Sequence, residues 1–485
     1  MDQPVHGVGV TPVRSGASRS LDQIDGPRGM PLLGNALQFD PPKMHTVLEG
    51  WQKRYGDLYR LKIGRHPVLV LSDATGIASL LRDRPDTWRR WHVIESITAE
   101  SGVDGVFSVE GDAWRRQRRL VMQAFDPGHL KRFFPSLVRV TERLLARWKR
   151  AAQSGTAIDL QADLMRFTVD VTAGLAFGSD VNTLDAQRDA IQEHLDKVFP
   201  MIQRRMNAPF PYWRYVRLPI DRAYDGHLER VGDAIRGFIA EARRRMDEDP
   251  SRRTTPSNLL EAMIAAHDAD SGALSDRELA GNVFTILLAG EDTTANTLAW
   301  TMYLLFEHPD AWRRVVAEAD AALGPDDLPR RFDDVGGFEF TEACIDEAMR
   351  LRPVAPLIGL ESNREASVLD VRVPARTVVF CLMRPPAVDA RHFEHPAEFR
   401  PERWLDAEGA AHDRKSARRA TMPFGAGPRL CPGRYLALCE MKMVLAMVAR
   451  NFSLARVGTE GGHEPPERMA FTMAPVGLRM SLGLR

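Results

Sequence analysis

The sequence predicts one large domain that is mainly α-helical and contains small β-sheets. Apolar residues recur at three- and four-residue spacing through most of residues 112–347, as in amphipathic and buried helices. Strand-like segments are short and lie before and after this region. Although 485 residues is long for one domain, the linker-like stretches at 249–257 and 407–416 are typical of surface loops. We therefore predict a single domain at residues 26–485, preceded by a flexible segment at residues 1–25.

The individual elements follow from local pattern. The Gly- and Pro-rich residues 26–31 mark where the compact chain starts. Residues 59–63 and 67–71 predict a β-hairpin, and the clearest helical patterns cover 137–148, 160–177, 228–246 and 279–306. Strand-like residues 368–371 and 377–381 precede an irregular, Pro-rich stretch at 385–428. A helix at 434–448 leads to strand-like residues 452–457 and 471–484.

Charge and cysteine content narrow the class of protein. Lys plus Arg and Asp plus Glu both number 65, so no net charge attracts the chain to nucleic acid or to an anionic membrane. The four cysteines have neither zinc-site spacing nor the density of a disulfide framework, which favours a reducing cytoplasm. No apolar run approaches a membrane span, and the first twenty residues lack the apolar core of a signal peptide. We predict a soluble, cytoplasmic protein.

The most informative segment is the loop at residues 424–433, which ends where a predicted helix begins. Three glycines and two prolines surround Cys431 and predict a rigid loop whose backbone can approach another group closely. A thiol just before a helix N-terminus is near the positive end of the helix dipole, which lowers its pKa and favours the metal-binding thiolate. Such a thiolate on a haem iron promotes O–O cleavage. Arg429, two residues earlier, is placed to bind a haem propionate.

Two other interpretations of Cys431 stay open from the residues alone. A lone cysteine in a C-terminal turn is usually a buried structural residue. A cysteine nucleophile of a hydrolase is the second alternative, but it needs a base such as His, and no nearby His has an evident orienting partner. Cys439, on the following helix, is better explained by packing.

A second candidate site interrupts the long apolar pattern at 279–306. Residues 289–294 place two acids and two hydroxyl groups in a helix that Gly and Thr weaken. Ala289 and Thr293 share one face, so the small side chain leaves space for O₂ and the hydroxyl contacts it, while Asp292 connects that hydroxyl to water. A solvated polar stripe is the alternative. We favour it for Glu291 alone, because it does not explain the segment as a whole.

The loop at 424–433 resembles the haem-binding signature of the cytochrome P-450 superfamily, Phe-x-x-Gly-x-Arg-x-Cys-x-Gly, at every fixed position. The resemblance implies a single-domain cytochrome P-450 fold and heme b (iron protoporphyrin IX) as the cofactor. It further implies that Cys431 is the axial ligand of the iron and that Phe424, Arg429 and Gly433 contact the haem.

Residues 289–294 are similar to the family's oxygen-activation motif, Ala-Gly-x-Asp/Glu-Thr-Thr. The resemblance implies that Asp292 and Thr293 are catalytic and relay protons to O₂, with Ala289 and Gly290 beside the haem. It implies a monooxygenase that takes electrons from NAD(P)H through a separate redox partner, a ferredoxin or flavodoxin docking near Cys431. The alternatives, a peroxygenase or isomerase and a non-catalytic haem-binding sensor, fit the acid-alcohol pair less well.

Further motifs extend the resemblance along the chain. Trp114 and Arg118 resemble the family's Trp-x-x-x-Arg motif, which implies contacts with a haem propionate. Glu347 and Arg350 resemble its Glu-x-x-Arg motif, and the resemblance implies that they form a buried network with Arg403 that holds the cysteine loop.

The sequence departs from the family pattern after Pro356. Glu361 stands where the family commonly has a propionate-binding Arg, so either Arg364 takes that role through a register shift or propionate binding differs here. Arg376 replaces the Gly that is usual in the following turn.

The resemblance also implies where a substrate binds. It places residues 92–98, the helix face at Thr285 and Ala289, residues 354–358 and residues 473–476 around a mostly apolar pocket. We therefore expect a hydrophobic small-molecule substrate, with His92 and Glu95 as candidate polar anchors.

Overall fold

The computed structural model describes residues 19–125, 127–185, 190–208, 210–269, 274–405 and 417–485. The helices used below are numbered in chain order: α1 Met44–Tyr55, α2 Ala74–Arg82, α3 His92–Glu100, α4 Gly111–Ala124, α5 Pro127–Ser154, α6 Leu160–Phe177, α7 Ala190–Leu195, α8 Val198–Met206, α9 Pro219–Glu248, α10 Leu259–Ala269, α11 Asp276–Glu307, α12 Pro309–Leu323, α13 Glu339–Leu351, α14 Arg384–Ala387 and α15 Arg434–Asn451.

The strands form small sheets at the edges of this helical body. They are β1 Arg19–Ser20, β2 Leu58–Ile63, β3 His66–Leu71, β4 Trp88–Arg90, β5 Ile158–Asp159, β6 Leu357–Ser362, β7 Ala366–Val368, β8 Val371–Val373, β9 Val378–Leu382, β10 Phe452–Gly458, β11 Glu467–Ala470, β12 Thr472–Pro475 and β13 Arg479–Leu484. The largest sheet has the order β2-β3-β9-β6-β4, and the others are β1-β8-β7, β10-β13-β5 and β11-β12. The predicted fold class, mainly α with small sheets, is confirmed.

Helix α11 runs through the centre of the protein. It begins with a capping box, in which Ser275 Oγ accepts from the backbone N–H of Glu278 and the Glu278 carboxylate accepts from the backbone N–H of Ser275. Most of its side chains from residue 279 to residue 305 are buried, and α6 packs along it. A helix that is apolar on all sides needs such a central position.

Most predicted elements are confirmed, and two are corrected. The strand-like residues 471–484 form two strands in different sheets, β12 and β13, and not one. The hairpin at 59–71 is β2 and β3, and the four helical patterns lie inside α5, α6, α9 and α11. Residues 368–371 were predicted as one strand, but β7 and β8 pair antiparallel there. Leu369 has a φ of +53°, so the chain turns between the two short β-branched segments. The linker-like stretch at 407–416 lies outside the described residues.

Ordered structure begins before residue 26, the predicted start of the domain. Residues 1–18 lie outside the described part, and β1 pairs in parallel with β8.

Among the described residues, no helix combines the length and apolarity that crossing a bilayer requires.

Candidate active site

An internal cavity of about 1040 Å³ lies between α4, α11, the five-stranded sheet and the loop at residues 424–433. Its lining is mostly apolar. Nine of the ten site residues that the sequence predicts line it together: Trp114, Arg118, Ala289, Gly290, Thr293, Phe424, Arg429, Cys431 and Gly433. The tenth, Asp292, is buried directly behind the lining, where it contacts Thr472.

The cysteine loop needs glycine at two positions. Gly425 and Gly427 have φ angles of +75° and +67°, in the left-handed region that L side chains rarely adopt. At Gly427 an added Cβ would also lie 2.5 Å from the carbonyl oxygen of Leu81 in α2. The loop therefore packs directly on α2. It is closed by a hydrogen bond of 2.9 Å from the backbone N–H of Cys431 to the carbonyl oxygen of Phe424.

Opposing influences act on the Cys431 thiol. Burial raises its pKa, while the backbone N–H of Gly433 and the positive charge of Arg118 act to lower it. The sequence-based expectation of a lowered pKa is therefore wrong for the polypeptide alone, because desolvation outweighs the helix N-terminus. The donor and the cation near the sulfur are nevertheless the groups that a metal-bound thiolate needs. Arg118 is fixed there by a hydrogen bond to the carbonyl oxygen of Leu430.

Three arginines contact or approach one glutamate at the other side of the loop. Arg429 forms a 2.6 Å ion pair with Glu110, Arg84 lies 3.9 Å from the same carboxylate, and the backbone N–H of Arg90 donates to it at 3.0 Å. The buried Nε of Arg429 and the buried Nε and Nη2 of Arg84 have no hydrogen-bond acceptor among the described residues. Burial lowers the pKa of all three guanidinium groups, to about 10 for Arg429.

This arginine cluster fits the propionates of haem b. Three guanidinium groups and one carboxylate leave two uncompensated positive charges in the interior, and a buried charge is costly unless it is paired. Two cofactor carboxylates in the cavity would neutralise these charges and accept hydrogen bonds from the orphaned donors. A single cysteine sulfur lines the same cavity and is a suitable axial ligand for haem iron. The residues present therefore match both ends of the cofactor.

Trp114 and Arg118 face the cavity from α4, as their four-residue spacing predicts. The guanidinium carbon of Arg429 stacks over the buried Trp114 ring, 4.3 Å from its centroid. Trp114 thus positions Arg429, and Arg118 binds the carbonyl oxygen beside Cys431. Helix α4 therefore contacts the cysteine loop at two positions, Arg429 and Leu430.

Strand β6 brings no arginine to the cavity, contrary to the family pattern. Arg364 lies on the surface, where its Nη2 donates to Thr87 Oγ1 at 2.9 Å, so a register shift does not bring it to the cavity. Glu361 is buried and accepts a hydrogen bond from the backbone N–H of His92 at 3.1 Å. Strand β4 pairs with β6 and places Arg90 in the cavity lining instead. Of the two alternatives, the structure supports the one in which propionate binding differs.

Two predictions about the substrate pocket are corrected. His92 and Glu95 were candidate polar anchors, but neither lines the cavity, and their side chains contact Glu361 and Arg89 respectively. Residues 473–476 were expected in the lining, and Phe471 and Thr472 are found there instead. The predicted contributions of Thr285 and of residues 354–358 are confirmed.

Helix α11 presents a small side chain and a hydroxyl to the cavity. The Thr293 hydroxyl donates to the carbonyl oxygen of Ala289 at 2.9 Å, so the two residues share one face as predicted. Gly290 is required by packing, because an added Cβ would lie 2.3 Å from the Thr172 hydroxyl oxygen on α6. The groove at this turn of α11 is therefore shaped by two helices.

Two carboxyl groups are buried next to this turn. Asp292 accepts a hydrogen bond of 2.8 Å from Asn296 and another from Thr472, and Glu291 accepts one of 2.6 Å from Gln192. Burial raises the pKa of Asp292 and raises that of Glu291 far more. The interpretation of Glu291 as a solvated surface residue is wrong, since it is only 2% exposed. The central part of α11, where Glu291 lies, is buried, so this side chain has no solvent to face.

The predicted Glu-x-x-Arg network is confirmed. Arg350 and Glu347 are fully buried and paired at 2.8 Å, and Arg403 reaches the same carboxylate at 3.0 Å. The indole N–H of Trp404 also donates to Glu347, at 2.9 Å. This network holds the irregular chain that precedes the cysteine loop.

Sequence reasoning missed several polar residues of the cavity, among them Arg84, Arg90, Gln203 and Glu440. Arg84 and Arg90 lie in a segment with many charged residues, and nothing local distinguishes a buried arginine there from a solvated one. Glu440 had a signal, because it interrupts the apolar pattern of α15. Burial raises its pKa well above the ordinary value.

Comparisons with known proteins agree with this geometry. Pentalenene oxygenase of Streptomyces avermitilis is 28% identical over 465 residues, which cover 95% of this chain and 97% of that protein. Cytochrome P450 3A31 of Mesocricetus auratus is 27% identical over 445 residues, covering 89% and 85% respectively. Thromboxane-A synthase of Rattus norvegicus is 27% identical over 461 residues, covering 88% and 85%.

The family model described as Cytochrome P450 matches residues 24–482. This match includes every residue that lines the cavity, from Leu32 to Thr472. The chain therefore belongs to the cytochrome P450 family.

Proposed function

We propose that Cys431 is the axial ligand of the haem b that this haem-thiolate monooxygenase binds. The observation that carries the proposal is that Cys431 lines one cavity with Arg84 and Arg429, whose guanidinium groups each keep at least one buried donor atom without an acceptor among the described residues. A sulfur for the iron and cations for the propionates are the two ends of a haem site. Phe424 and Gly433, beside the sulfur, would contact the porphyrin.

The bound haem supplies the activation of O₂, of which one atom enters the organic substrate and the other leaves as water. We assign the accompanying proton transfers to Asp292 and Thr293. The Thr293 hydroxyl faces the cavity next to Ala289 and Gly290, which leave space for a small molecule. Because burial raises the pKa of Asp292, its carboxyl group holds a proton more readily than an exposed aspartate does.

The electrons come from NAD(P)H through a separate redox protein, which we propose is an acidic ferredoxin or flavodoxin that docks near Cys431. Arg119 on α4 is exposed and has no carboxylate partner among the described residues, and Arg434 follows the cysteine loop directly. Arg115 and Arg116 contribute less, because carboxylates of the protein already pair with them.

Charge reversal tests this docking surface. The double variant Arg119→Glu and Arg434→Glu should slow reduction by an acidic ferredoxin and flatten its dependence on ionic strength. Arg364→Glu, on another surface, is the matched control. Equal reduction rates in all three proteins would contradict the docking site.

We also propose that the protein works in the cytoplasm. All four cysteines are free thiols in the structure, which suits a reducing compartment. Fractionation of the producing cells should place the protein in the cytoplasmic fraction, and recovery with the membranes or outside the cell would contradict this location.

The carbon monoxide difference spectrum of the reduced protein tests the ligand assignment. We expect the strongly red-shifted Soret band of thiolate ligation in the wild type and its loss in Cys431→Ala. The control is Cys439→Ala, which removes a buried cysteine on α15 and should retain the band. A band that survives in Cys431→Ala would overturn the assignment. Turnover driven by peroxide but independent of O₂ would favour a peroxygenase over a monooxygenase.

A further inference from the structure

We propose that the substrate is a largely apolar molecule that carries one neutral oxygen group, a hydroxyl or carbonyl, and that Gln203 on α8 binds this group. The inference rests on the proposed function, because it identifies the kind of molecule that the oxygenase cavity accepts. It starts from one side chain whose hydrogen-bonding capacity the protein itself does not use.

Gln203 is a buried amide without a partner. Its side chain is 7% exposed and lines the cavity. The amide oxygen is inaccessible to solvent and has no donor among the described residues. An unsatisfied buried amide destabilises a protein, whereas one that meets a ligand group provides selectivity.

Three hydroxyl groups of the cavity near α11 already donate to acceptors of the protein. The hydroxyls of Thr293 and Thr297 donate to helix carbonyl oxygens, and that of Thr472 donates to Asp292.

Two further hydroxyls of the lining, those of Thr172 and Thr285, have no hydrogen-bond partner among the described residues. Each is packed against the backbone of a glycine of the protein. Of the unpaired polar groups in this region, we therefore assign the ligand to the Gln203 amide.

The surroundings of Gln203 favour a neutral ligand group. Two arginines follow Gln203 on α8. Arg204 is exposed and its Nε donates to the hydroxyl of Tyr212 at 3.4 Å, and Arg205 is buried in an ion pair with Asp221 and contacts two aromatic rings. Neither is therefore placed to bind a carboxylate of the substrate. An amide offers both a donor and an acceptor, which suits a hydroxyl or carbonyl oxygen, and burying an unpaired charge there would be costly.

The position of Gln203 predicts that the oxygen group is remote from the carbon that reacts. Helix α8 packs against α3, α9 and β11, whereas the loop that carries Cys431 packs against α2. Apolar side chains such as Leu175, Ile286 and Phe471 line the cavity along with Gln203. The hydrocarbon part of the substrate would occupy this apolar region and its oxygen group would be fixed at α8.

Equilibrium binding of matched ligands tests the proposal without turnover. The probes are hydrocarbon and alcohol pairs of increasing size, menthane with menthol, cedrane with cedrol and cholestane with cholestanol, together with a carboxylic acid of each skeleton. The spin-state shift of the ferric haem reports binding. In the wild type we expect the alcohol of at least one pair to bind roughly tenfold more tightly than its hydrocarbon, and the acid to bind less tightly than the alcohol.

The variants decide whether Gln203 causes this preference. Gln203→Leu should abolish this preference by weakening the binding of the alcohol and not that of the hydrocarbon. Gln203→Asn, which keeps the amide, should retain part of the preference. Met206→Leu, an apolar change in the same lining, should leave it unchanged. A preference that persists in Gln203→Leu, or no preference for the alcohol in any wild-type pair, would overturn the proposal. A wild type without the thiolate spectrum would instead show that the proposed function itself is wrong.

Discussion

The hydroxyl group of Thr472 on β12 donates a hydrogen bond to the carboxyl group of Asp292 on α11, although 180 residues separate them in the chain. Asn296 binds the other carboxyl oxygen. The proposed proton donor is thus oriented by a strand and by its own helix. Because both partners stabilise one orientation, removing either should disturb proton delivery before it disturbs the fold.

Thr472→Val should therefore lower the fraction of consumed electrons that appears in product, by roughly threefold to tenfold for the loss of one hydrogen bond to a carboxyl group. The measurement is product formed per NAD(P)H consumed, together with the peroxide released. Thr301→Val is the control, because its buried hydroxyl donates to a helix carbonyl oxygen and not to Asp292. Equal losses in the two variants would mean that the contact with Thr472 has no special role.

Arg84→Leu should release haem faster than the wild type. The orphaned donors of Arg84 are assigned to a propionate, and loss of a charge-assisted pair costs about 1.5–3 kcal/mol, so we expect dissociation to be faster by at least about tenfold. Transfer of haem to apomyoglobin measures the rate. Arg364→Leu removes a surface arginine that bonds to Thr87, and its haem should dissociate at the wild-type rate. If Arg364→Leu is the faster of the two, the assignment of the propionate site is wrong.

The two left-handed glycines of the cysteine loop should differ in their tolerance of alanine. Gly425→Ala meets no atom within 4 Å, so only the backbone conformation opposes it, at about 1–2 kcal/mol. Gly427→Ala has the same conformational cost and also collides with the Leu81 carbonyl oxygen, so we expect a loss of about 2–5 kcal/mol. Urea unfolding and the haem content of the purified variants measure both effects. Similar stabilities would show that the loop is not packed on α2 in solution.

The stability of the protein should depend on pH through the ionisation of the Glu467 carboxyl group on β11. Although burial acts to raise its pKa, hydrogen bonds from His45 and Arg384 and the charge of Arg384 lower it to about 2. A carboxyl group with a lowered folded pKa stabilises the protein above its unfolded pKa, and this contribution disappears as the pH falls towards 2. Its upper limit is about 3 kcal/mol.

Glu467→Gln should accordingly lower the free energy of unfolding at neutral pH, and the difference from the wild type should shrink on acidification through the range from about 4.5 to 2. Chemical unfolding at several pH values measures this difference. Glu460→Gln, an exposed carboxyl group in the preceding turn, should show no such trend. A Glu467→Gln deficit that is independent of pH would place its cause in packing and not in charge.

The parts of the protein that could be predicted from sequence are those in which one short segment determines the structure. The cysteine loop, the paired positions on α4 and the acid-alcohol turn of α11 each combine spacing with residue type within about ten residues, so their side chains were correctly placed in one cavity. Arg90 is different. It lines the cavity because β4 pairs with β6, and such pairing between distant segments leaves no local pattern.

The burial of individual polar side chains was the other feature that could not be predicted from the sequence. A carboxyl group on an apolar helix is usually on the solvent side, and this rule failed at Glu291 because the central part of α11 is buried on all sides at this position. Arg376 shows a similar conflict. It has a φ of +66°, so the turn kept the left-handed conformation usual for glycine although the residue changed. Tertiary contacts determined both outcomes.

The cavity lies where the helical body meets the five-stranded sheet, with Ile286 contributed by α11, and Leu357 and Phe380 by β6 and β9. A haem in this place would be part of the core as well as the reactive group, since it would join two layers that otherwise meet across a void. Binding to the native state alone would shift the folding equilibrium by mass action. The yield of intact protein should therefore follow the haem supply of the producing cell, and its proteases should degrade chains made during haem shortage faster than chains that bind haem.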